Sequence, residues 1–145
     1  MEELKSFIDS NKSPSRPSAD GLFRLAVDRS FALKGVGKVV TGSIFSGEVE
    51  VEQFVRHLPS GARLRVRKLH AQGQESSSAC VGQRCAVNIS GSELGKIEIK
   101  RGDWLVSEFQ SGTSERLHAN VFSLKGENFK DGMPIHFHLG ASDTT

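Results

Sequence analysis

FALKGVGKVVTGSIFSGEVEV, residues 31–51, is the stretch that decides the fold. Its second part, KVVTGSIFSGEVEV (38–51), is rich in β-branched residues, with glycines at 42 and 47. That composition predicts an extended strand with bulges or corners at the glycines. The glycines at its start invite a phosphate-loop reading, and the spacing refuses it. A Walker loop needs G-x-x-x-x-G-K followed by Ser or Thr, but the first glycine would fall on Ala32 and the residue after Lys38 is Val39. A dinucleotide fingerprint fails as well, because its third glycine would fall on Val40. No nucleotide is expected here.

Working outward, the chain reads as short strands separated by turns. FRLAVD (23–28) alternates, ARLRVRKLH (62–70) follows the turn Pro59-Ser60-Gly61, and RCAVNI (84–89) alternates again. WLVSEF (104–109) follows Arg101-Gly102-Asp103. Such strands and turns predict an all-β fold, a small antiparallel barrel or sandwich. RLHANVFSL (116–124) and MPIHFHLG (133–140) predict two further strands joined by KGENFKDG. A pair of strands with one apolar face is not stable alone. Residues 113–145 therefore either pack on the preceding barrel or begin a further, incomplete domain, and the second is expected. Upstream, EELKSFIDS (2–10) places Leu4, Phe7 and Ile8 on one helical face, and NKSPSRPSADG (11–21) has a linker composition. Residues 1–21 are expected to be the end of a preceding domain and its connector, with the barrel over 22–112.

Composition bounds the function. The chain has 145 residues, a formal net charge of +2, 37% hydrophobic and 25% charged residues. That length suits one ordinary domain and is too short for a nucleotide-binding domain plus a second. Near-neutral charge does not by itself indicate nucleic acid. No apolar run is long enough to span a membrane, and the acidic start MEELKSFIDS is not a signal peptide. Cys80 and Cys85 lack C-x-x-C spacing and read as free thiols of a reducing cytosol, with Cys85 half-buried. The five histidines form no metal motif, although His136 and His138 would share one strand face. No nucleophile–base pair can be assembled, so an enzyme is not expected.

Four blocks in order resemble the second domain of elongation factor Tu-type translational GTPases. They are the glycine loop with its V-V-T-G strand and the SGEVEV that follows, both within 31–51, then VGQRCAVNISG (81–91) and KRGDWLV (100–106). The sequence departs at Glu52-Gln53, where that family usually has Gly-Asp, so a remodelled turn is expected there. FRLAVDRSFALKGVG, LHAQGQ, GQRCAVNISG and RGDWLV together resemble the selenocysteine-specific elongation factors, with PIHFHLGASDTT similar to the opening of their third domain. The resemblance implies a barrel that binds aminoacyl-tRNA without catalysis of its own. It also implies a cytoplasmic parent protein whose GTPase domain carries GTP and magnesium and which delivers selenocysteinyl-tRNA to the ribosome at recoded UGA codons. Domain 2 of a general translation factor and a stand-alone interaction module are the alternatives.

The resemblance places the amino-acid pocket at Asp28, Arg29 and Arg84. Two guanidinium groups suit this task because they stay charged and selenocysteine is an anion at neutral pH, whereas serine is neutral. A unit pair at about 4 Å contributes about 4 kcal/mol at an effective dielectric near 20, roughly a thousandfold before desolvation. Read without the resemblance, Asp28-Arg29 is a surface ion pair. Arg63, Arg65 and Arg67 alternate on one strand face, joined by Lys68 and Arg56. They read either as candidate tRNA phosphate contacts or as a solvated outer face. His70, Gln72 and Gln74 fall where the family's loop nears the terminal ribose, and Phe31 and Val36, near the glycine loop, read as core packing or as support for the terminal adenosine.

Overall fold

A computed structural model describes residues 2–10, 21–110, 112–123, 126 and 129–144. The amphipathic helix is present as α1 (Glu2–Ser10). Leu4 and Phe7 on its apolar face are exposed, and most of the linker that follows lies outside the described residues.

The strands are β1 (Arg24–Leu33), β2 (Gly37–Ser46), β3 (Glu48–Glu50), β4 (Phe54–Leu58), β5 (Arg63–Ala71) and β6 (Gln74–Ser76). They continue as β7 (Ser78–Cys80), β8 (Arg84–Ser90), β9 (Trp104–Ser107), β10 (Phe137–Leu139) and β11 (Ser142–Thr144). The main sheet runs β4-β9-β1-β2-β8-β5-β6, and β4 also pairs with β5, so all of it but β6 closes into an antiparallel ring. A barrel rather than a sandwich results, and closure removes the exposed edges that open sheets must protect. Alternating side chains fill the interior: Leu25, Val27, Val40, Ile44, Leu64, Val66, Val87 and Leu105 are all buried.

Several expectations change. KVVTGSIFSGEVEV is two strands, because Gly47 turns the chain at a φ of 67° and β3 leaves the ring to pair with β7. Cys85 is fully buried rather than half-buried. Its register partner is Gly42, and the inward side of β8 at that point is core. The strand expected at 116–124 is absent over the described residues 116–123, which are mostly exposed. The strand expected at 133–140 is shortened to β10, which carries His138 but not His136.

The β10–β11 hairpin sits against the barrel. A Cβ built on Gly140 would lie 2.8 Å from Ala26 Cβ and 3.0 Å from Trp104 Cζ2. Arg101 Nε donates to Ala141 O at 3.2 Å.

Candidate functional site

Two features of the V-V-T-G strand shape the outer wall of the barrel. The β1–β2 register runs Val27↔Gly42 and then Arg29↔Thr41, so Asp28 is the extra residue of a β-bulge. A bulge twists its strand and re-aims a side chain. Gly42 permits this, since a Cβ there would lie 2.1 Å from Ala26 O and 2.7 Å from Leu25 Cδ2. The glycine that punctuates the sequence is thus required for close approach of β1.

Re-aimed by the bulge, Asp28 reaches over β2 to Arg84 on β8. Asp28 Oδ2 accepts from Arg84 Nε at 2.9 Å and pairs with Nη2 at 2.8 Å. Thr41 donates its hydroxyl to the other oxygen, Oδ1. Partial burial pushes the Asp28 carboxyl up, but hydrogen bonds from Thr41 and Arg84 and the charges of Arg84 and Arg29 outweigh it and hold it below its ordinary value. Arg29 is exposed, and its side chain carries no hydrogen bond or ion pair among the described residues. Two arginines against one aspartate leave the site net positive.

The remaining candidates sort by register. Arg29 pairs with Thr41, Thr41 with Ala86, and Ala86 with His70, so these four lie in one outward row across β1, β2, β8 and β5. With strands about 4.8 Å apart, the row is about 14 Å long, and its small Ala86 makes a low floor between Thr41 and His70. Gln72 joins the site through its backbone, its N–H donating to Arg84 O at 3.1 Å. Gln72 and Gly73, at φ 53° and 85°, form the two-residue turn into β6, which begins at Gln74. Phe31 and Val36 are partly exposed beside the β1–β2 turn. Asn88 fixes that turn, donating from Nδ2 to Val36 O at 2.9 Å and Lys38 O at 3.1 Å.

The arginine stripe lies toward the other end of β5. Arg63 pairs with Glu108, and Arg65 and Arg67 share Glu52. Arg67 Nε donates to Ser90 Oγ at 2.7 Å, and the Arg63 guanidinium lies 3.6 Å from the Phe54 ring centroid. Arg56 is spent on the backbone oxygens of Glu108 and Gly61, and Lys68 pairs with Glu75 at 3.9 Å. Every member of the stripe therefore already holds a partner.

One constellation escaped sequence reading. His57 Nε2 lies 3.0 Å from Asp103 Oδ2, and His57 Nδ1 lies 2.6 Å from Ser60 Oγ. The residue types suggest nucleophilic catalysis, but the His57 side chain is only 1% exposed. A histidine that takes a proton from a serine must next hand it to the leaving group of a substrate, and this buried ring meets only its two partners. The network ties the β4–β5 turn to the loop before β9. Its signal was a histidine at an alternate position from Val55 in FVRHL, on the face that buries. No group of three or more metal-ligating side chains occurs among the described residues, and no described helix is long and apolar enough to cross a membrane.

Residues 37–106 match the family described as elongation factor Tu domain 2. Over 124 residues the chain is 40% identical to a selenocysteine-specific elongation factor of Escherichia coli, covering 85% of this chain and 20% of that protein. Its counterpart from Haemophilus influenzae is 37% identical over 123 residues, covering 85% and 19%. Among solved structures, the apo form of translation elongation factor SelB from Methanococcus maripaludis superposes with a TM-score of 0.66 at 30% identity, covering 73% of this chain and 23% of that one. The chain spans about a fifth of the length of these relatives.

Proposed function

Residues 37–106 belong to the elongation factor Tu domain 2 family, in a chain similar to part of the selenocysteine-specific elongation factors, and from that premise we propose that the barrel holds the aminoacyl end of selenocysteinyl-tRNA. Asp28, Arg29 and Arg84 form the pocket for the selenolate, and His70 with Gln72 flanks the terminal ribose. The parent protein delivers this tRNA to the ribosome at recoded UGA codons, with GTP and magnesium held by its GTPase domain. The barrel supplies binding and no catalysis.

The observation that carries the reading is the bulge-driven meeting of Asp28 with Arg84, beside an Arg29 left without an ion pair. A fixed positive field distinguishes an anionic selenolate from a neutral serine hydroxyl on the same tRNA. The Arg84 side chain is 60% exposed, so solvent screens most of its charge in this chain alone. Coverage by the GTPase domain lowers the dielectric over the pocket and strengthens the discrimination. Weak binding by the isolated barrel follows.

The test is discrimination between selenocysteinyl-tRNA and seryl-tRNA by the whole elongation factor carrying Arg29→Ala and Arg84→Ala. The expected loss is at least tenfold, equivalent to about 1.4 kcal/mol. Unchanged discrimination would sink the assignment.

A further inference from the structure

Arg84 is held in place by a hydrogen-bonded chain that starts on a different strand, and we infer that Thr41 is a positioning residue of the pocket, acting on Arg84 through Asp28. This inference rests on the proposed anion pocket and assigns a residue that the sequence reading did not single out.

Asp28 is the bulge residue of β1, so no ladder partner on β2 opposes it, and its carboxylate needs another reference. Thr41 provides one. It lies on β2 opposite Arg29, and its hydroxyl donates to Asp28 Oδ1. With that oxygen engaged, Oδ2 is the one presented to Arg84, which forks onto it through Nε and Nη2 at 2.9 and 2.8 Å. A guanidinium has five N–H donors in a rigid plane, so fixing one edge fixes the plane and leaves the remaining donors for a ligand. With 60% of the Arg84 side chain exposed, those donors are accessible. Without the threonine hydroxyl the carboxylate can turn, either oxygen can face Arg84, and the guanidinium loses its single orientation.

Three variants of the whole factor test this. Thr41→Val keeps the β-branched shape and strand preference and removes only the hydroxyl. Thr41→Ser keeps the hydroxyl. Thr41→Val is expected to lower discrimination between selenocysteinyl- and seryl-tRNA about three- to tenfold, while Thr41→Ser stays within about twofold of the parent. In the 145-residue chain, the Arg84 Nε–Hε resonance is expected to be sharp for the parent and Thr41→Ser, and broadened for Thr41→Val at an unchanged unfolding midpoint. If Arg84→Ala abolishes discrimination while Thr41→Val leaves both readouts untouched, the positioning role is overturned and the pocket stands. If Arg84→Ala itself has no effect, the pocket reading fails, and this inference with it.

Discussion

Glu52 adopts a φ of 73°, a left-handed conformation that costs a side-chain-bearing residue about 1 kcal/mol and glycine almost nothing. The family's usual Gly-Asp is replaced here by Glu-Gln, and the turn survives by substitution of function. Gln53 Oε1 accepts from Glu50 N–H at 2.8 Å, and the Glu52 carboxylate collects Arg65 and Arg67. Glu52→Ala and Glu52→Gly lose the same ion pairs, but only glycine relieves the backbone. The glycine variant is therefore expected to be the more stable by about 1 kcal/mol in denaturant unfolding. At Cys85, burial pushes the thiol from its ordinary 9.0 to about 12. A proton bound more tightly in the folded state favours folding at lower pH, so this contribution is full below about 9 and is lost as pH climbs toward about 12. Folding stability should decline across that interval, and Cys85→Ala should flatten the decline. Both effects were only partly legible. The odd dipeptide at 52–53 was visible in the sequence, whereas the burial of Cys85 required the register that sets it opposite Gly42.

At the scale of elements, the hairpins whose strands alternate cleanly could be read from the chain, and the strands defined by their partners could not. β4 begins directly after the Glu52-Gln53 turn and mixes Arg56 and His57 with apolar residues, so its strand character emerges only once β5 and β9 flank it. Conversely, residues 116–122 have the right pattern, yet no strand forms over them among the described residues. Periodicity measures fitness for a strand, and pairing decides whether one forms. His57 illustrates what holds such an element in place. Its ring bonds join Ser60 in the β4–β5 turn to Asp103, which also accepts from Lys100 N–H at 2.7 Å. His57→Leu keeps the volume but breaks both side-chain bonds and leaves polar partners half-satisfied, costing about 2–3 kcal/mol. The check is a double-mutant cycle with Ser60→Ala. The two losses should be clearly non-additive, because each variant breaks the same bond.

At the scale of the whole molecule, ring closure and the C-terminal hairpin contribute differently. The ring couples β4 through β9, β1, β2, β8 and β5 back to β4, so opening any strand breaks two ladders, and the barrel should unfold as one cooperative unit. The β10–β11 hairpin buries little of itself and touches the barrel at the Arg101–Asp103 loop, Ala26 and Trp104. Trp104 is the chain's single tryptophan, stacked edge-on with Phe45 at 5.4 Å between ring centroids, and the Gly140 backbone approaches it closely. Its fluorescence therefore reports hairpin docking, whereas far-UV circular dichroism reports the ring. Ending the chain after residue 112 should shift Trp104 emission to the red while moving the barrel's unfolding midpoint by only a few degrees. The reason is that Val40, Leu64, Leu69, Val87 and Leu105 keep all their core neighbours. A collapse of the midpoint would instead mean that the hairpin completes the barrel's core. In that case the division between residues 22–112 and 113–145, expected from the unfinished strand pair and the resemblance of PIHFHLGASDTT to a further domain, would cut through one cooperative unit.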